Sequence, residues 1–299
     1  MLILIILGPI ITQEKDNMKT IIPYVTSGLG NRLRCVASCY VISQETDREL
    51  KIYWDNLIPN GCLAKLDELF ENELQTISLE ELKELKNYKM CINKYDADRE
   101  DWEFKNDTLR NLTDLYGADG KHSYTHDDQQ ENILVFNISF LEGVNLEKSH
   151  DFIRSLKPIK SIQDNIDKIK NDLGLSKDVI GIHARGTDFL DSSVDAYMKN
   201  MLPYLEKNPN QKFFISTEDP EMEKTIVNSY PNNVLFRKKE NYIIKEDETV
   251  SWLNHNNFYI TKDHAQEAVE DMFLLAETTI GIYDNRSTFA ELAIILSQR

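Results

Sequence analysis

The chain has no surplus of basic charge: 34 Lys and Arg stand against 50 Asp and Glu, a formal net charge of −16 over 299 residues. A nucleic-acid surface needs a basic footprint, so that class of partner is excluded, and the same charge argues against docking on anionic lipid. A long apolar run is also missing. The most apolar stretch, MLILIILGPII at 1–11, is too short to span a bilayer. It lacks the basic leader and cleavage site of a secretory signal. No stable membrane insertion is expected, and a cytoplasmic location follows. Cysteine is scarce. Cys35, Cys39, Cys62 and Cys91 show neither the paired spacing of a zinc site nor a disulfide framework. Reduced core thiols are expected, with Cys35 and Cys39 on one helix face. Repeats and low-complexity tracts are absent.

What is present is apolar residue enough for a sizeable core, 41% of the chain, at a length that allows one large domain or two ordinary ones. Met18 opens MKTIIPYVTSGLGN, which reads as the start of a first strand, so residues 1–17 are expected to be an upstream extension or a loosely held strand. Patterning predicts strand 19–25, helix 31–44, strand 49–54, helices 63–70 and 79–86, strand 88–92 and strand 133–140. Between the last two lies an irregular segment, 93–131, rich in Asp, Asn, Gly and Lys. From 160 the rhythm is regular: helix 160–173, strand 179–184, helix 193–207, strand 212–216, helix 219–229, strand 233–236, a polar loop 237–261, helix 262–277, strand 279–283 and helix 287–298. Such alternation gives an α/β fold with parallel sheets. Two α/β halves are expected, 1–155 and 156–299, facing across a cleft.

Four segments carry chemistry. Ser27-Gly28-Leu29-Gly30-Asn31-Arg32-Leu33 follows a strand and opens a helix. Glycines there let backbone N–H groups reach an anion at a helix N-terminus. It is also a partial dinucleotide fingerprint, with Asp55 as a ribose acid, but Leu33 stands where the third glycine belongs. The structural alternative is a tight turn with no ligand. In the second segment, residues 179–188, an apolar run ends in His183, Arg185 and Asp188. The carboxyl ends of strands are where ligands bind in open α/β sheets. His183 and Arg185 share a strand face. Arg185 offers a donor fork to a diphosphate and to charge growing on a leaving group, and His183 a hydrogen bond to base or ribose. A satisfied core histidine and an Arg185–Asp188 structural pair are the alternative. Third, Phe213–Pro220 ends in acids, where Asp219 before Pro220 is read as a helix cap ahead of a catalyst. Fourth, Glu270-Asp271 precedes Ser287-Thr288 by sixteen residues. The Asp271 carboxylate can accept the two hydrogen bonds of a guanine edge, and Ser287 and Thr288 open the last helix as phosphate holders. A helix cap and an exposed acid are the alternative. In so acidic a chain an anion needs a local basic pocket, which singles out Arg32, Arg185 and Arg286.

Asp96-Ala97-Asp98 mimics a metal-binding carboxylate pair but lacks a preceding strand, and His122 and His126 lie in an acid-rich loop; no metal site is expected. Sequons occur at Asn106, Asn111, Asn137 and Asn285. A glycan at Asn285 would block the fourth segment.

Taken together, GLGNRL at 28–33, HARGTD at 183–188, FFISTEDPE at 213–221 and the run from Glu270 to Ala293 resemble the fucosyltransferase superfamily that includes protein O-fucosyltransferases, core N-glycan fucosyltransferases and bacterial nodulation fucosyltransferases. The segments come in that family's order and span residues 20–295. The resemblance implies two Rossmann-like domains in the GT-B arrangement, the N-terminal one facing the acceptor and the C-terminal one binding the donor. It also implies GDP-fucose as donor, inversion at the anomeric carbon, a glycan or protein acceptor, and no metal or other cofactor. It makes Arg185, Asn31 and Asp191 the catalytic candidates. It makes Gly28, Gly30, Asn31, Arg32, His183, Arg185, Asp188, Asp271, Ser287 and Thr288 the donor-binding ones. Where the core N-glycan enzymes place an acidic base, this chain has Ser193, flanked by Asp191 and Asp195. Two other readings stand beside it: an NAD-type oxidoreductase using the 28–33 loop, and a GDP-sugar-binding protein without turnover. Acceptor, linkage and the identity of the GDP-hexose do not follow from the sequence.

Overall fold

A computed structural model describes residues 19–25, 28–54, 64–85, 88–92, 132–136, 140–141, 143–185, 193–239 and 261–299. The first sheet holds β1 (Thr20–Val25), β2 (Glu49–Leu50), β3 (Tyr53–Trp54), β4 (Tyr88–Ile92) and β5 (Asn132–Phe136). Its order is β2-β1-β5-β4, with β3 also on β1, and every pairing is parallel. The second sheet holds β6 (Ile180–His183), β7 (Phe213–Ser216), β8 (Val234–Leu235) and β9 (Thr279–Tyr283) in the order β8-β7-β6-β9, again all parallel. The expected parallel α/β class is therefore present. In each sheet the chain leaves a central strand in one direction and later returns on its other side, between β1 and β5 and between β6 and β9. Those are switch points, where crevices open at the carboxyl ends of strands.

The helices are α1 (Leu29–Thr46), α2 (Leu79–Glu84), α3 (Leu146–Ser155), α4 (Lys160–Leu173), α5 (Val194–Lys207), α6 (Pro220–Ser229), α7 (Lys262–Ala276) and α8 (Thr288–Leu296). Their boundaries have local causes. Ser193, Asp219, Thr261 and Ser287 cap α5, α6, α7 and α8 with side-chain oxygens. Gly174, at φ +63°, ends α4 in the left-handed region. Helix α8, TFAELAIIL, is apolar almost all round and buries Ala290, Leu292, Ala293, Ile295 and Leu296. A helix of that kind must be covered on several sides. It packs against α7 and also back against α1 and α3 of the first sheet's half. One hydrophobic core accordingly runs from Ile21 and Leu33 through Phe152 and Ile162 to Met272 and Leu292. A second cluster, with Ile182, Met201 and Phe213, lies on the other side of the second sheet.

Three local differences have physical reasons. The run 49–54 is broken at Ile52, whose N–H bonds the Gln75 carbonyl and whose carbonyl accepts from Ile77, so the ladder on β1 is interrupted. In place of a helix over 63–70 there is one 3₁₀ turn, Leu66–Glu68. Helix α3 has no counterpart in the sequence reading. It is launched by Asn145, whose Oδ1 accepts from Lys148 N at 3.1 Å, and it buries Phe152 and Ile153. Cys35 and Cys39 are both buried inside α1.

Candidate functional site

At the switch point of the second sheet, β6 delivers His183 and Arg185, and β9 leads through Asp284 into Ser287 at the head of α8. His183 is 4% exposed. Its Nδ1 lies 3.1 Å from Ser287 Oγ, and its ring stacks on Phe289 at 4.9 Å between centroids. Ser287 Oγ also accepts from Ala290 N at 3.2 Å, so the residue is both a helix cap and a tie between strand and helix. Burial, with the Arg185 charge beside it, pushes the His183 pKa from 6.5 down to about 3. The imidazole is therefore neutral near pH 7, held between Ser287 Oγ and the Phe289 ring.

That depression has a consequence for stability. Between pH 6.5 and about 3 the unfolded chain takes up a proton at His183 that the folded chain refuses, so stability falls as pH drops through that window. Denaturant unfolding of wild type should lose on the order of 2 kcal/mol more than His183→Gln on going from neutral pH to about 4.5. Equal acid losses in the two proteins would remove His183 as the cause.

Arg185 is half-buried at the end of β6, and its backbone N–H donates to Tyr197 Oη at 3.0 Å. The phenol of α5 thus fixes the backbone at the point where the strand stops. No sequence signal marks Tyr197 for this, because the contact depends on how α5 folds back.

The first segment meets the fourth in space. A Cβ on Gly30 would lie 2.7–2.9 Å from the Oγ1, carbonyl carbon and carbonyl oxygen of Thr288. Only glycine permits that approach, because backbone atoms cannot swing aside. The N-terminal turns of α1 and α8 therefore abut. Helix α1 is preceded by Gly28 as its N-cap, with no side-chain cap hydrogen bond and no acidic residue in its own first turn. Gly28 and Asn31 flank the contact. Arg32 is placed differently from the donor-binding role given to it above. It is 0% exposed, its Nη1 donates to Val25 O at 3.2 Å, and its guanidinium lies 5.0 Å from the Trp54 ring centroid. It ties the end of β1 to α1 from beneath.

Asp271 also sits in company the sequence does not show. It is 2% exposed. Oδ1 accepts from Arg237 Nε at 2.5 Å, and Oδ2 from Ser216 Oγ at 2.8 Å and from Lys239 Nζ at 2.5 Å. Arg237 Nη1 pairs with Glu270 Oε2 at 2.9 Å, and Asn165 Nδ2 holds Glu270 Oε1 at 3.0 Å. Burial alone would raise the Asp271 pKa, but Lys239 and Arg237 outweigh it and hold the carboxyl below its ordinary value. For Glu270 burial wins over Arg237, and its pKa is raised. Ser216 is the register partner of His183 in the β6–β7 ladder, so this ion cluster lies directly beside the switch-point strand. Arg237 and Lys239 stand at the edge of a polar loop, and nothing in their spacing reveals an inward turn.

Asp219 caps α6 through Glu221 N and Met222 N at 3.0 and 3.1 Å. Ser193 caps α5 through Ala196 N at 3.2 Å. Arg286 is held by Asp284, with Nη2 to Oδ2 at 2.6 Å. Asp188 and Asp191 lie outside the described residues, as do Asp55, Asp96, Asp98, Cys62, His122, His126, Asn106, Asn111, Asn137 and the segments 1–17 and 93–131. Among the described residues no group of three His, Cys, Asp or Glu is placed to hold a metal ion, and no helix is long and apolar enough to cross a membrane.

No protein-family model and no curated protein matches the chain; solved structures do. A crystal structure of NodZ alpha-1,6-fucosyltransferase soaked with GDP-fucose aligns with a TM-score of 0.61 at 16% identity, covering 93% of this chain and 92% of that one. A mutant of Arabidopsis thaliana FUT1 in complex with GDP aligns at 0.57 and 13% identity, over 95% of this chain and 70% of that one. POFUT1 in complex with GDP-fucose aligns at 0.54 and 10% identity, over 94% of each. The chain shares its fold with these three fucosyltransferases along almost its whole length.

Proposed function

We propose that this chain transfers fucose from GDP-fucose to an acceptor hydroxyl with inversion at the anomeric carbon, and that its two sheets mark an acceptor-side and a donor-side half divided near residue 155. The observation that carries the reading is the convergence at the second switch point. Arg185 leaves β6, Ser287 and Thr288 open α8, and the glycine-cornered start of α1 is pressed against Thr288 through Gly30. Two helix N-termini and one guanidinium at the carboxyl ends of parallel strands form a site for a diphosphate. Support comes from the fold, which is that of fucosyltransferases solved with GDP or GDP-fucose.

In this mechanism the acceptor oxygen forms a bond to the anomeric carbon as the bond from that carbon to the β-phosphate oxygen breaks. GDP departs with the bonding pair. Arg185 and the amides at the head of α8 take up the negative charge that grows on it. The acceptor proton passes to a base, for which Asp191 is the candidate, and Asn31 orients the hydroxyl. His183 remains neutral and keeps Ser287 in place. Reading of guanine by Asp271 requires Lys239 to release Oδ2. Because protein groups meet the diphosphate charge, transfer is expected to proceed in EDTA. The oxidoreductase reading has less behind it: Leu33, where a third glycine would sit, is buried in the core.

Calorimetric titration of GDP, UDP and NAD⁺ in EDTA tests the proposal. GDP is expected to bind at least tenfold more tightly than UDP, and NAD⁺ not at all. Equal GDP and UDP binding, or a preference for NAD⁺, would overturn it. GDP binding with no release of fucose from GDP-fucose in the presence of acceptor glycans or peptides would favour the binding protein without turnover.

A further inference from the structure

Beside the carboxyl end of β7 one donor nitrogen is shared by two buried acceptors. Lys239 Nζ lies 2.5 Å from Asp271 Oδ2 and 2.5 Å from the Thr217 carbonyl oxygen. Asp271 and Thr217 are almost fully buried. The Lys239 side chain is largely buried as well, and it reaches them at the end of a flexible four-carbon stem.

The partners of Asp271 are not equally replaceable. Ser216, whose Oγ donates to Oδ2 at 2.8 Å, is locked into the β6–β7 ladder. Arg237 is fixed by its other nitrogens, on Glu270 Oε2 and the Glu267 carbonyl at 2.9 Å each. Lys239 has no such second anchor in a rigid fork: its ammonium is a compact point donor that water hydrates well once it swings out. The two oxygens it leaves behind are buried, and a buried acceptor without a donor costs about 1–3 kcal/mol. Whatever displaces the lysine must therefore bring donors for both. The exocyclic amino group of guanine carries two hydrogens, one for each oxygen, and the adjacent ring N–H is a further donor to the carboxylate. Uracil offers one ring N–H between two carbonyls, which would face the carboxylate and the Thr217 oxygen as acceptors against acceptors.

We propose that Lys239 is an internal stand-in for the amino group of guanine: it holds Asp271 Oδ2 and the Thr217 carbonyl until the base displaces it, and it returns as GDP leaves. The inference rests on Asp271 as the base reader of the transfer reading above, and it adds the residue that sets how tightly donor and product are held. Apparent affinity is reduced by the fraction of molecules in which the competent form, with the lysine swung out, is populated. The same exchange favours departure of GDP after transfer, a step that limits turnover in many enzymes. Lys239 acts through Asp271 and Thr217 and is a positioning residue, not a catalytic one.

The test is calorimetric titration of GDP and UDP into wild type, Lys239→Ala and Lys239→Met, joined to amine acylation of wild type read by peptide mass spectrometry. Both variants should bind GDP at least tenfold more tightly than wild type, while UDP binding changes less than threefold. A gain of affinity is the opposite of what mere structural damage produces. In wild type, saturating GDP should raise acylation of Lys239 at least fivefold and UDP less than twofold, a measurement that needs no variant to fold. GDP affinity unchanged or weakened in both variants, an equal gain for UDP, or acylation of Lys239 unchanged or lowered by GDP would overturn the exchange. The two readings fail separately: absence of GDP binding in wild type and variants alike topples the donor assignment itself, and GDP binding indifferent to Lys239 topples the exchange alone.

Discussion

Arg185→Ala is expected to lower kcat for fucosyl transfer by about 100- to 1,000-fold, while GDP affinity falls far less. On the proposed reading, the diphosphate of bound GDP-fucose already carries its charge and shares it with the amides at the head of α8. As the glycosidic bond breaks, the leaving β-phosphate gains negative charge that a positioned guanidinium meets more strongly than a neutral amide does. An interaction that grows along the reaction coordinate shows in kcat; one that is constant shows in KM. Arg185 is suited to the former role, since it follows directly on the end of β6 and its backbone is pinned by Tyr197 Oη at 3.0 Å. Arg185→Lys keeps the charge and loses the planar fork, so it should recover only part of the loss. Single-turnover kinetics on both variants, with GDP titrated separately, make the measurement. Unchanged kcat in the alanine variant would remove Arg185 from the reaction, and equal losses in GDP binding and turnover would make it a donor anchor only.

The sequence shows where Arg185 is but not what holds it, and the same division runs through the molecule. Periodicity locates β6, α4 and α7 almost to the residue, because each has an uninterrupted apolar face and a plain stop such as Gly174. The first three chemistry-bearing segments, and Ser287-Thr288 of the fourth, are recognisable since they sit just past strand ends, where polar residues interrupt an apolar run; Glu270 and Asp271 lie inside α7. Pairings between distant segments are not recognisable. Gly30 meeting Thr288, Tyr197 reaching back to Arg185, and Arg237 with Lys239 turning inward onto Asp271 are all products of tertiary packing. Helix α3 escapes notice because its sequence, LEKSHDFIRS, buries only Ser149, Phe152 and Ile153, too few apolar positions to make a stripe. Arg32 misleads in the opposite direction. An arginine in a glycine-rich loop invites a phosphate, yet this one is buried under Trp54.

Removal of Arg237 should be the most damaging single change to stability. Its guanidinium touches Asp271, Glu270 and the Glu267 carbonyl, with Nε–Oδ1 at 2.5 Å and Nη1–Oε2 and Nη2–O at 2.9 Å. Taking one partner from a buried ion pair leaves charge without compensation and costs about 3–5 kcal/mol. Arg237→Ala should therefore lose stability of that size at neutral pH, seen as a lowered denaturant midpoint. The loss should shrink on acidification. Glu270, whose pKa burial already raises, would take up a proton first and relieve its share. Asp271 is the reverse case: its depressed pKa contributes stability above the ordinary carboxylate range and loses it below. With Lys239 still at Oδ2, Asp271 keeps one cation in the variant, so Glu270 is the group left worst off. That identifies the compensating change. Arg237→Met together with Glu270→Met replaces the ion pair by apolar volume and should recover most of the stability, with Asp271 and Lys239 still paired. Urea unfolding of the single and double variants, followed by far-UV circular dichroism, decides it. A single variant within about 1 kcal/mol of wild type would show the cluster to be solvated enough to tolerate the loss. A double variant no better than the single would locate the damage at Asp271, and hence beside the strand that carries His183.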